Sequence, residues 1–163
     1  MLKASIYKSP IGNLYLIAEG SVLLGAGFRS FEDLIKRMPL IFSIKDIRQV
    51  DKINDISNLI SNYFEGDLQS LNTIEVSQPG SKFSQDVWKA MRKIPAGKTW
   101  SYSQLATKAK KPKAVRAVGT ICGKNLIAPI VPCHRVIKTN GGIGNYGFGV
   151  AKKEWLLRHE GVL

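Results

Sequence analysis

The chain has 163 residues, 44% apolar and 22% charged, with 24 Lys and Arg against 12 Asp and Glu. This composition can bury a core, which excludes a disordered chain, and apolar runs such as Leu126 to Pro132 are too short to span a bilayer, so no membrane partner is expected. Residues 1–78 hold 8 basic and 9 acidic residues, whereas residues 79–163 hold 16 basic and 3 acidic, so a polyanion site is expected in the second half.

The first half opens with β-rich segments: Ala4 to Tyr7, Leu14 to Ala18 and Val22 to Phe28. The short turn clusters between them predict an antiparallel meander. Phe31 to Met38 predicts a short helix that stops before Pro39, and Ile41 to Val50 is ambiguous. From Asp51, the spacing of Ile53, Ile56, Leu59, Ile60, Tyr63 and Phe64 predicts a helix ended by Gly66. This half gathers no cluster of His, Cys and carboxylates. Residues 1–78 therefore read as a small α/β scaffold domain.

Ser77 to Ser81 is a turn cluster, and the domain boundary is placed there. Phe83, Val87, Trp88, Met91 and Ile94 predict one helical face, stopped by Pro95-Ala96-Gly97. Ser103 to Ala109 predicts a second helix with Ser101 or Ser103 as its cap. After the Lys110-Lys111-Pro112-Lys113 connection, Ala114 to Cys122 predicts a third, with Ala114, Val118 and Ile121 facing inward. Two short helices joined this way match a helix-turn-helix, although any αα-hairpin looks similar. The last helix is expected from Val150 to His159, burying Trp155 and Leu156, with Gly161 as its stop. Residues 79–163 thus read as a mainly helical, winged-helix-like domain.

Gly97-Lys98-Thr99 resembles the tail of a phosphate-binding loop, but Arg92 stands where its first glycine belongs. The glycine-rich stretch Gly141 to Gly149 follows no dinucleotide-binding pattern, and a tight loop approaching another group closely is expected there. Nucleotide cofactors are therefore excluded. The two cysteines and two histidines have no zinc-finger spacing, so no metal is expected. With two cysteines and no apolar block in Met1 to Pro10, a cytosolic or nuclear location is expected. Pro132-Cys133-His134-Arg135 places a base and a cation directly after a thiol, the surroundings that make a thiol nucleophilic. Adjacent residues on a strand point to opposite faces, so contact through a turn or a bridging water is expected. By themselves these residues also fit an inert buried cysteine beside a core histidine. Cys122, on a helix with no adjacent base, reads as structural.

Six segments fall in order at compatible spacing: Ile94 to Tyr102, Ala114 to Gly119, Asn125, Pro132 to Ile137, Gly144-Asn145-Tyr146, and Lys153 to Gly161. Together they resemble the O6-alkylguanine-DNA alkyltransferases, over residues 83–161 almost without gaps. The resemblance implies DNA repair by irreversible, single-turnover transfer of an alkyl group from O6-alkylguanine, and also O4-alkylthymine, in duplex DNA. The acceptor would be Cys133, with His134 as a base acting through water and Glu160 holding His134. Asn125 would pin the cysteine turn. Tyr102 would assist extrusion of the nucleotide and protonate guanine N3. Arg116 would fill the gap left in the base stack, and Lys113 and Ala114 would lie at the DNA. Pro132, Tyr146, Gly147 and Phe148 would wall the pocket, with Phe148 standing where many relatives carry glycine. It implies a monomer that needs no cofactor. Two other readings are a helix-turn-helix protein without chemistry and a cysteine hydrolase. The first needs no Pro-Cys-His-Arg segment, and the second has no use for a strongly basic half.

Overall fold

The computed structural model describes residues 1–39 and 46–163. Residues 41–45 of the ambiguous stretch lie outside the described residues. Contacts divide the chain into two units. One is Met1–Pro79 with Leu126–Ile130, and the other is Gly80–Asn125 with Val131–Leu163.

In the first unit, β1 (Leu2–Ser9), β2 (Gly12–Glu19) and β3 (Val22–Gly27) form an antiparallel meander. Ser9 pairs with Gly12 and Glu19 with Val22, so each hairpin closes with two residues. Leu14, Leu16 and Ile17 of the central strand are fully buried. Burial of each such side chain contributes roughly 1.5–3 kcal/mol. The edges depart from an all-antiparallel sheet: β4 (Ile47–Gln49) runs parallel to β1, and β5 (Glu75–Val76) parallel to β3. Strands of two or three residues are too short to carry a readable period.

Helix α1 (Phe31–Arg37) begins at Ser30, whose hydroxyl accepts a bond from the Asp33 amide, and its acids and bases oppose the helix dipole. Helix α2 (Asn54–Phe64) buries Ile56, Ile60, Tyr63 and Phe64, and the Phe64 ring stacks on Tyr7 at 5.5 Å. Leu126–Ile130, read from the sequence as part of the second half, folds with this unit. Ala26 donates to the Leu126 carbonyl at 2.8 Å, and its own carbonyl accepts from Ala128 at 3.0 Å. Gln78 Oε1 accepts from the Leu126 amide at 2.8 Å.

In the second unit, α3 (Lys82–Met91) is capped by Ser81 and buries Val87, Trp88 and Met91. It ends at Met91, short of Pro95, and Ile94 is buried in the following turn. Phe83 is only half-buried, with the Lys111 ammonium 4.7 Å above its ring. Strand β6 (Trp100–Ser101) leads into α4 (Tyr102–Lys108). The Ser101 hydroxyl accepts from the Gln104 amide, and the Gln104 side chain accepts from the Ser101 amide. Ser101, not Ser103, is therefore the cap. Helix α5 (Val115–Gly123) follows a short turn and completes the helix-turn-helix. Val118 and Ile121 are buried, whereas Ala114 is the half-buried cap residue and does not face the core. Cys133–Arg135 forms a 3-10 turn, followed by β7 (Val136–Ile137), which pairs parallel with β6. Helix α6 (Val150–His159) buries Lys153, Leu156 and Leu157. Trp155, expected inside, is half-buried and stacks on His159 at 4.8 Å.

Candidate active site

The tight 3-10 turn changes the geometry expected for a Cys-His pair on a strand. The Arg135 amide donates to the Pro132 carbonyl at 3.0 Å, and the Cys133 amide donates to Val131 at 2.9 Å. Pro132 is buried, Cys133 half-buried and His134 fully buried. Asn125, just beyond α5, donates through Nδ2 to the Val131 carbonyl at 2.8 Å and to Cys133 Sγ at 3.4 Å. One amide thus holds the backbone before the cysteine and touches the sulfur itself.

His134 Nε2 lies 2.8 Å from Glu160 Oε2 at the end of α6, and both side chains are sealed from solvent. Burial pushes the His134 imidazole below its ordinary value, more than Glu160 raises it. Burial alone would raise the Glu160 carboxyl. The bond to His134 and the Arg135 guanidinium outweigh that and hold it far below the usual carboxylate range. A carboxylate can only accept, so a neutral His134 donates from Nε2 and keeps its lone pair on Nδ1. Nδ1 has no hydrogen-bond partner among the described residues.

Arg135 completes this core. Its Nε and Nη2 grip Glu160 at 2.8 and 2.9 Å, and Nη1 donates to the Ile94 carbonyl at 2.8 Å. Reading the sequence assigned Arg135 only as a cation near the thiol. Of the three carboxylate side chains in residues 79–163, Glu160 pairs with this buried arginine, a pairing that no local spacing announces. Gly97 fits the same arrangement. Its φ of +89° favours glycine, and a Cβ there would sit 3.2 Å from the Glu160 carbonyl oxygen.

Lys153 was also missed, because it reads as one more solvated lysine. It is fully buried and donates to the Val136 carbonyl at 2.7 Å and the Asn145 carbonyl at 3.1 Å. It joins β7 to the glycine-rich loop, where a Cβ on Gly144 would stand in ordinary contact with Nζ, at 3.5 Å. Burial lowers the Lys153 pKa, and attraction to Cys133 opposes that shift. Farther along the loop, Tyr146 is buried, Gly147 exposed and Phe148 half-buried, with the two rings edge-to-face at 5.6 Å.

Tyr102 is the first residue of α4, half-buried, and the β6–β7 pairing places it beside the strand that leaves the Cys133 turn. Burial and the neighbouring Cys122 and Cys133 push its hydroxyl up to about 12, so it remains a proton donor. Burial also raises the Cys122 thiol, leaving it a poor nucleophile. Lys113 is exposed in the α4–α5 turn, Ala114 caps α5, and Arg116 is exposed in its first turn. These three lie on the helix-turn-helix.

The fold and this cluster define a helix-turn-helix protein with a cysteine beside a buried His-Glu-Arg triad. Residues 2–78 match the ribonuclease-like domain of 6-O-methylguanine DNA methyltransferase, and residues 82–162 match its DNA-binding domain. The methylated-DNA–protein-cysteine methyltransferase of Salmonella typhimurium is 38% identical over 161 residues, covering 95% of this chain and 93% of that protein. That of Methanosarcina acetivorans is 35% identical over 159 residues, covering 96% and 97%. The crystal structure of Mycobacterium tuberculosis OGT in complex with DNA superposes with a TM-score of 0.81 at 35% identity, covering 97% of this chain and 92% of that one. The chain belongs to the 6-O-methylguanine DNA methyltransferase family.

Proposed function

We propose that this protein repairs DNA by transferring an alkyl group from guanine O6 to its own Cys133, once per molecule. The observation that carries the assignment is the half-buried Cys133 sulfur held by Asn125, next to a histidine whose Nε2 is committed to Glu160. A base inside a duplex cannot reach a sulfur so placed, so the damaged nucleotide must leave the stack. Arg116 fills the vacated space and bonds the orphaned cytosine. Lys113 and Ala114 meet the backbone nearby.

The His134 Nδ1 lone pair takes the thiol proton through one water. Sulfur attacks the alkyl carbon and the carbon–O6 bond breaks, with Tyr102 supplying a proton toward guanine N3. The thiol proton held by His134 passes back through water to the Tyr102 oxygen, so that overall one S–H and one C–O bond are lost and one S–C and one N–H bond are gained. A thioether offers water no leaving group, so the protein is consumed. No step needs a cofactor. Pro132, Tyr146, Gly147 and Phe148 wall the pocket. Residues 79–163 bind DNA and react, and residues 1–78 serve as scaffold. No described helix is long and apolar enough to cross a membrane. We place the protein in the cytoplasm, or in the nucleus if the source is eukaryotic, because reduced thiols suit those compartments.

Cys133→Ala tests the assignment. It should bind alkylated duplex DNA with wild-type affinity and accept no alkyl label. Retained transfer would move the chemistry elsewhere, and loss of binding would make Cys133 structural.

A further inference from the structure

A basic groove lies outside α5. Lys82, Lys89 and Lys93 on and just beyond α3 line a groove of about 440 Å³ together with Lys108 and Lys110 at the end of α4. All five lysines are exposed, and the groove's one carboxylate, Asp86, lies 3.7 Å from Lys82. Buried Ala90 and Ala109 form the floor, and their small side chains leave room for a ligand. Lys82, Asp86 and Lys89 share one face of α3 by spacing, and Lys93 follows in the turn after the helix and lines the same groove. Like charges held together repel, and a polyanion relieves that repulsion.

Resting on the DNA-repair reading above, we propose that this groove holds the sugar–phosphate backbone of the same duplex, beyond the damaged site. Lys108 and Lys110 belong to the first helix and turn of the helix-turn-helix. The groove therefore continues from the element that meets DNA in the proposed function. Its ligand is phosphate charge, with no base edges read, so the contact adds affinity without sequence preference.

The test is the salt dependence of duplex binding for wild type, Lys89→Gln/Lys93→Gln, and Lys36→Gln/Lys52→Gln, which removes the same charge from exposed lysines of the first unit. Each lost phosphate contact lowers the slope of log affinity against log salt by about 0.9. The groove variant should lose close to two such increments, the control none, and Lys89→Arg/Lys93→Arg should keep the wild-type slope. An unchanged slope in the groove variant, or an equal loss in the control, would overturn the groove and leave the repair reading intact. Absence of salt-dependent duplex binding by wild type would overturn both.

Discussion

In the proposed function, His134 sets the direction of proton flow at Cys133. Because Nε2 donates to Glu160, only Nδ1 can receive a proton, and burial keeps it unprotonated below the ordinary histidine value of 6.5. Transfer from alkylated duplex should therefore hold its rate as pH falls through 6.5 and decline only below it. General-base catalysis typically contributes 10²–10⁴-fold, so His134→Ala should slow transfer by roughly a hundredfold or more. The same groups govern acid stability. When the folded pKa lies below the unfolded one, the unfolded chain binds protons first as pH falls, so stability drops. That loss begins near 6.5 for His134 and near the ordinary 4.5 for Glu160. Glu160→Gln should cost about 3–5 kcal/mol at neutral pH, since it leaves the buried Arg135 charge unpaired. It should also remove the part of the loss that begins near 4.5. Urea melts across pH check both, and a variant as stable as wild type would contradict the charge assignment. Phe148 makes a separate point. Its ring packs edge-on against Tyr146 and narrows the pocket entrance in the proposed function. Phe148→Gly should raise reactivity toward O6-benzylguanine relative to methylated duplex. An unchanged ratio would turn Phe148 away from the site.

At the scale of elements, the cap of α4 links stability to chemistry. Ser101 and Gln104 close a reciprocal pair of bonds immediately around Tyr102. Ser101→Ala should cost about 1 kcal/mol and slow transfer from duplex, while Ser101→Thr should retain most of both. A denaturant midpoint equal to wild type would mean the cap carries no stability. A serine cap at Ser101 or Ser103 was legible because capping is local, and so were the long α2 and α6 patterns, whereas the Gln104 bonds that select Ser101 came only with the fold. Trp155 was misplaced because α6 also offers Leu156 and Leu157 to the core, and the tryptophan stacks on His159 instead. Leu126–Ile130 could not be assigned from its apolar character, since its bonds to Ala26 and Gln78 join residues far apart in sequence. The same limit hid Arg135 and Lys153. Their roles depend on which carboxylate or carbonyl the fold brings to them, and a charged residue in sequence is by default a solvated one. Cys133, His134, Asn125 and Glu160 were legible through the resemblance, and the direct Asn125 contact to sulfur came only with the fold.

For the whole molecule, charge and chemistry are concentrated in the second half of the sequence. The excess of basic residues over acidic ones falls entirely within residues 79–163, which also carry the helix-turn-helix and both cysteines. Such a distribution draws a polyanion toward the part that reacts with it. The first unit contributes a sheet with a buried central strand and carries no cysteine. The most direct measurement is the intact and peptide-resolved mass of the protein after incubation with excess O6-methylguanine duplex. One methyl per molecule is expected, on the peptide containing Cys133, with Cys122 unmodified and the DNA restored in equal amount. Repair of many lesions by an unmodified protein, or a methyl group on Cys122, would contradict the assignment.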